Sequence, residues 1–168
     1  MDHNLSTIDR LVAIEDIRQL KARYLNGCDR KDAESLLDCF APGPVQIDMG
    51  HVGVFDSREA FVELFVAAAD HPYVLDMHHG ANPEIDVHDA QNASGVWGFD
   101  YRNVNTQAQT VTLASGFYHD DYVNVDGAWK ISACRVTYVS AIHLNYEGDR
   151  VGEIFTGRSV AGVVSYGE

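Results

Sequence analysis

Three residues far apart in the sequence carry side chains that together could do chemistry: Tyr24, Asp29 and His78, the last inside Met77-His78-His79-Gly80-Ala81-Asn82. A carboxylate beside an imidazole orients the ring, fixes its tautomer and stabilises the imidazolium, which makes a general base without metal or cofactor. A phenol donates a hydrogen bond to a substrate oxygen where negative charge develops. The set suits proton abstraction next to a carbonyl, followed by loss of a leaving group. His79 competes with His78 for the role of base. Strand alternation puts the two on opposite faces, and Gly80, which could mark a bulge, leaves the choice between them open. Tyr24 and Asp29 are five residues apart, roughly 140° around an α-helix, so a shared face requires the helix to loosen at Gly27.

The elements that must position these groups are legible from periodicity. Leu11, Ile14, Ile17, Leu20, Tyr24 and Cys28 recur at three or four residues and predict a helix over about Thr7 to Asp29, capped by Ser6 or Thr7. A short helix fits Ala33 to Phe40, stopped by Pro42-Gly43-Pro44, and Val45 to Met49 reads as a strand with a turn around Gly50 and Gly53. Asp56-Ser57-Arg58-Glu59 has the form of a capping box opening a helix through Phe61, Leu64, Phe65 and Ala68. After His71-Pro72 the period changes to that of strands. Val74 to His88 is extended, with a break near Gly80. Ala93 to Asn103 alternates, with Trp97, Phe99 and Tyr101 on one face. Thr110 to Val125 and Ala128 to Ser140 flank Asp126-Gly127, a two-residue hairpin signal. The fold class is therefore α+β: N-terminal helices packed on a curved, mainly antiparallel sheet, a cone-shaped α+β barrel with an apolar interior and one mouth. Residues 1–140 form one domain. Residues 141–168 are a Gly-rich tail, expected to be a lid over the mouth or an oligomer contact.

Composition narrows the function. The 168 residues are 46% hydrophobic and carry 25 acidic against 12 basic residues, a net charge of −13. With no basic stripe, a nucleic-acid partner is excluded on electrostatic grounds. No run is long enough to cross a bilayer, and the acidic surface disfavours membrane adhesion. The start of the chain has no signal-peptide pattern, and the three scattered cysteines, Cys28, Cys39 and Cys134, read as buried thiols in a reducing, cytoplasmic setting. The eight histidines show no metal-ligand spacing, and no nucleotide-binding or nucleophile-elbow motif is present. Metal: none; cofactor: none.

Ile14-Glu-Asp-Ile-Arg-Gln-Leu-Lys-Ala-Arg-Tyr24 with Cys28-Asp29, Met77-His-His-Gly-Ala-Asn-Pro-Glu-Ile85, and Gly116-Phe-Tyr-His-Asp-Asp-Tyr122 with Asp126-Gly-Ala-Trp129-Lys-Ile resemble, in that order, the opening helix, central strand and final hairpin of the SnoaL-like branch of the nuclear-transport-factor-2-like superfamily. The resemblance spans about residues 8–140. It is nearest to cofactor-free lyases: scytalone dehydratase, bile acid 7α-dehydratase and hexachlorocyclohexane dehydrochlorinase. It implies a homo-oligomer, trimer or dimer, acting on a small hydrophobic cyclic substrate. Its motif register selects His78 over His79 and aligns Asp29 with the partner carboxylate and Tyr24 with the helix phenol. Where the bile acid enzyme has a further acid after Gly-x-Trp, this chain has Tyr101; Asp100, next to it, should face the other way. Tyr101, Tyr118, Asn82, Trp97 and Arg135 complete the expected substrate-binding set. The expected function is dehydratase-type elimination. The alternatives are an isomerase or cyclase using the same proton abstraction, and a non-catalytic binding or assembly module.

Overall fold

A computed structural model describes residues 5–146 and the backbone of residues 150–156. The helical period at the N-terminus becomes α1 (Thr7–Arg30), whose N-cap Ser6 accepts from the Asp9 backbone N–H. Its buried stripe is Ala13, Ile17, Leu20, Tyr24 and Cys28. Leu11, expected in that stripe, is exposed, because it lies roughly 160° around the helix from buried Ala13. The helix stays α-helical through Gly27 and stops at Lys31, which adopts the left-handed conformation (φ 60°) and returns its N–H to the carbonyls of Cys28 and Gly27. Gly27 thus serves packing rather than loosening: a Cβ there would sit 3.2 Å from Leu36 of α2 (Ala33–Cys39).

The chain continues through β1 (Pro44–Asp48), a single 3₁₀ turn (Gly50–Val52) and β2 (Val54–Ser57), a short strand the sequence pattern did not reveal. It then enters α3 (Arg58–Ala69), where Ser57, one residue after the expected Asp56, supplies the capping oxygen to the Ala60 N–H. Four long strands follow: β3 (Val74–Val87), β4 (Asn92–Asn105), β5 (Thr110–Val125) and β6 (Ala128–Asn145). Asp126 and Gly127 turn β5 into β6 with φ of 51° and 88°. β6 runs five residues past Ser140, and the backbone of β7 (Arg150–Thr156) pairs with it, so the segment expected to be unpatterned after Ala141 begins as sheet. Of the tail expected at residues 141–168 to be a lid or oligomer contact, residues 147–149 and 157–168 lie outside the described residues.

The sheet order is β2-β1-β6-β5-β4-β3, with β7 beside the second half of β6; β1 pairs parallel with β6 and the remaining pairs are antiparallel. The sheet is curved and unclosed, and the helices fill one side of it, so the cone is completed by α1–α3 rather than by strand pairing. α1 lies against β3 and β6. Its approach to β3 is close: a Cβ on Gly80 would be 2.8 Å from Leu25. The irregularity in β3 falls between Ala81 and Glu84, where Asn82 has φ 49°, two residues later than the break expected at Gly80. No helix among the described residues is long and apolar enough to cross a membrane. Cys28, Cys39 and Cys134 are free and buried.

Candidate active site

His78 and Asp76 are two residues apart on β3 and point to the helix-covered side, where their cross-strand neighbours on β4 are Tyr101 and Asn103. α1 delivers Asp29 to this row from its last turn. The Asp29 carboxylate accepts the His78 backbone N–H at 3.0 and 3.1 Å and His78 Nδ1–H at 2.7 Å. A carboxylate only accepts, so the proton sits on Nδ1 and Nε2 keeps its lone pair. Nε2 has no partner among the described residues. The two side chains are 15% and 13% exposed, sheltered but not sealed. Helix loosening is unnecessary, because Asp29 does not have to enter the chamber. It grips His78 from the helix end while Tyr24, roughly 140° away, faces the interior.

That interior is a cavity of about 490 Å³ lined by His78, Tyr24, Tyr118 and Tyr101 together with Phe61, Phe99, Tyr138 and other apolar side chains. Tyr24 and Tyr118 are buried with rings edge to face at 6.1 Å, and neither hydroxyl has a hydrogen-bond partner among the described residues. Burial, and then neighbouring acidic groups, push both phenols well above their ordinary pKa, so they stay protonated donors. Cys28, one residue before Asp29, is pushed up to about 12 by burial and then by the Asp29 charge.

Beside the dyad lies a cluster that sequence reasoning missed. Asp76 Oδ1 accepts from Tyr101 Oη at 2.6 Å and from Asn103 Nδ2 at 2.7 Å, while Oδ2 pairs with Lys31 Nζ. Burial alone would raise the Asp76 carboxyl; the hydrogen bonds from Lys31, Tyr101 and Asn103 outweigh it and hold the group below the usual carboxylate range. Tyr101 moves upward, by burial and then by its bond to Asp76, and its ring packs on the His78 imidazole at 4.5 Å. Strand alternation would have found this cluster, since Asp76 shares a face with His78 and Asn103 shares one with Tyr101. Thr112 and His143, hydrogen-bonded at 2.9 Å, also line the cavity and were likewise missed.

Of the expected site residues, His78, Asp29, Tyr24, Tyr101 and Tyr118 come together. Asn82, Trp97 and Arg135 stand apart from the cavity. Asn82 is exposed at the β3 irregularity. Trp97 faces the helix side but lies beyond Phe99, under α1, where its indole N–H donates to Tyr122 Oη at 2.9 Å. Arg135 is exposed because β6 turns Val136 into the cavity and its neighbour out; it lines a separate, more open groove with His119, Glu84 and Asp48. Among the described residues, no cluster of three or more His, Cys, Asp or Glu side chains could hold a metal ion.

The fold that carries this arrangement, three helices against a curved sheet, has counterparts in known proteins. A family model for the SnoaL-like domain matches residues 9–135, and the chain belongs to that family. No curated protein matches the sequence. Among solved structures, the chain is similar to a scytalone dehydratase-like protein from Novosphingobium aromaticivorans DSM 12444 (19% identity, 84% of this chain and 93% of that one, TM-score 0.73). It is also similar to a hexachlorocyclohexane dehydrochlorinase, LinA type 2 (20% identity, 79% and 89%, TM-score 0.71). A third similar structure is the type 3 LinA from Novosphingobium barchaimii LL02 (18% identity, 94% and 97%, TM-score 0.70). At these identities the likeness is one of fold.

Proposed function

We propose that this protein is a cofactor-independent lyase of the dehydratase type, acting on a small, mostly hydrophobic cyclic molecule with a hydroxyl β to a carbonyl. The observation that carries the reading is the 2.7 Å contact from Asp29 to His78 Nδ1, which leaves Nε2 as the basic atom beside an apolar chamber. In the proposed step, Nε2 takes the proton α to the carbonyl. The electron pair passes to the carbonyl oxygen, held by the free hydroxyls of Tyr24 and Tyr118. As it returns, the β C–O bond breaks. The imidazolium gives its proton to the departing hydroxide, so water and an unsaturated carbonyl leave and His78 is neutral again. Asp29 stabilises the transient imidazolium and keeps its ring in place.

The names of the similar structures, a dehydratase and dehydrochlorinases, agree with elimination. An open chamber of about 490 Å³ supports a ligand-binding role over a purely structural module. The free cysteines support a cytoplasmic setting. Leu75, Met77, Leu113 and Phe117, exposed on the sheet face turned away from the helices, support a homo-oligomer, dimer or trimer. The test is turnover of a panel of β-hydroxy cyclic ketones, followed by product mass. Loss of one water marks the dehydratase, and an unchanged mass marks an isomerase. His78→Ala cuts turnover by about 10²–10⁴-fold in a folded protein and Asp29→Asn also cuts it strongly; full activity in both variants refutes the reading.

A further inference from the structure

The Asp76 cluster has no part in the proton transfer proposed above, yet it fixes the chemistry of one cavity wall. Lys31, Tyr101 and Asn103 all donate to the Asp76 carboxylate, whose side chain is 3% exposed. Asp76 can only accept, so the single hydroxyl proton of Tyr101 is committed to it. Tyr101 lines the cavity beside Asp76 and Asn103, and its oxygen has lone pairs but no proton to offer. Tyr24 and Tyr118, which line the same cavity, are the reverse, since their hydroxyl protons are uncommitted. The cavity therefore holds donors at Tyr24 and Tyr118 and an acceptor at Tyr101, with His78 beside the acceptor at 4.5 Å between ring centres.

We infer that Tyr101, locked by Asp76, is a specificity-determining acceptor that selects ligands bearing a hydroxyl donor on the ring beside His78, and that with the Tyr24–Tyr118 pair it makes the cavity a site for hydroxylated cyclic ketones. The inference rests on the cavity being the substrate site, as proposed above, and names the substrate class more closely. A site built to accept a hydroxyl proton discriminates strongly against an analogue that lacks it, because both partners would be left unpaired. An ether or second carbonyl set against Tyr101 would bring two acceptors together with no proton between them.

Two probes separate these cases: the tetralone bearing a phenolic hydroxyl para to its carbonyl, and its methyl ether. Affinities are measured by calorimetry on the full chain, without reference to turnover. The unaltered protein binds the phenol at least about ten-fold tighter than the ether, the scale of one lost hydrogen bond. In Asp76→Asn the side-chain amide donates to Tyr101 and frees its proton for the cavity, so the ratio falls at least about ten-fold and moves toward the ether. A role confined to holding the fold together would weaken both probes alike and leave the ratio unchanged. Tyr101→Phe, which removes one oxygen and keeps the ring, abolishes the preference and carries the test should Asp76→Asn not fold. Equal binding of the two probes by the unaltered protein overturns the inference, as does a preference that survives in Tyr101→Phe or in folded Asp76→Asn. If the unaltered chain binds neither probe, the cavity is not a site for such ketones and the inference falls. His78→Ala keeps the binding preference while losing turnover, so failure of the elimination reading (turnover retained in that variant) is told apart from failure of the acceptor wall.

Discussion

Two charged clusters join α1 to the sheet, and they are built from similar parts to opposite ends. At the middle of α1, Lys21 Nζ reaches Asp120 Oδ2 on β5 at 2.7 Å, with the two side chains 1% and 0% exposed. Tyr122 donates to the same oxygen at 2.8 Å and accepts from Trp97, and Lys21 lies 3.6 Å above the Tyr118 ring. Lys21, Tyr122 and Trp97 all donate to partners inside the protein, although Asp120 Oδ1 has no partner among the described residues. At the end of α1, Asp29 and Lys31 clasp His78 and Asp76, but each pair keeps an edge on the cavity, Nε2 in one case and the Tyr101 oxygen in the other. A closed cluster fixes where the helix sits. An open one spends part of its hydrogen-bonding capacity on whatever enters. The difference predicts that substitutions in the first change stability, and that substitutions in the second change chemistry first.

The sharpest break of that comparison is the exchange of one member from each. Lys21→Met leaves the Asp120 carboxylate buried without its cation and costs about 3–5 kcal/mol of stability, read as a fall in denaturant midpoint at constant m-value. Adding Asp120→Asn removes the stranded charge and recovers a large part of the loss. If Lys21→Met is as stable as the unaltered chain, the closed cluster does not hold the helix. His78→Ala has the opposite profile. Turnover falls by about 10²–10⁴-fold, while the denaturant midpoint moves little, because the side chain borders a cavity and Asp29 keeps the backbone N–H of residue 78 as a donor. A large midpoint shift in His78→Ala would place it with the structural cluster.

A smaller effect tests how closely the helix end is seated. Gly80→Ala sets a methyl 2.8 Å from Leu25, where the far end of a flexible side chain has to move. The expected cost is about 1 kcal/mol, at the low end of overpacking penalties. Because Asp29 grips His78 two residues away, turnover falls by more than stability predicts. Equal stability and unchanged turnover would mean that the α1–β3 approach leaves the dyad untouched.

The two clusters were unequally legible in the sequence. Asp29 and His78 stand in the motifs that carry the resemblance to the family, and the helix and strand periods that hold them are long and regular, so the elements were legible from periodicity and the pairing from the resemblance. Lys21 and Asp120 carry no such mark. A lysine on a helix reads as solvated until the sheet that buries it is known, and the pairing spans 99 residues. Asp76 and Asn103 were within reach of simple alternation, but their role depends on Lys31, whose left-handed conformation at the helix C-cap is set by how α1 ends. The short β2 was missed because four residues carry too little periodicity. The displacement of Trp97 from the cavity has a related cause: which end of a face a strand residue occupies depends on register with its neighbours, and alternation gives only the face; Arg135 instead lies on the opposite face from Val136, and Asn82 sits at the β3 irregularity.

The open cluster also differs from the closed one in how it should respond to acid, through Asp76. Its carboxyl, opposed by burial but held by the bonds from Lys31, Tyr101 and Asn103, lies below its ordinary value in the folded protein. A depressed carboxyl contributes stability that is complete above the unfolded value of about 3.9 and is lost as pH falls through the folded value. Lys31→Met removes one of the bonds that lower it. The variant is therefore less stable than the unaltered chain by about 1 kcal/mol near neutrality, the scale of one partly buried hydrogen-bonded pair. That gap is full above the unfolded value of about 3.9 and narrows as pH falls below it and through the lower folded value, where the carboxylate protonates. Other lowered carboxyls, such as Asp38 beside Lys130, titrate in the same range but are common to the two proteins and cancel in the difference. A gap that stays constant down to acid pH would mean that Lys31 stabilises the chain through its ammonium, 5.6 Å over the Phe65 ring, rather than through Asp76.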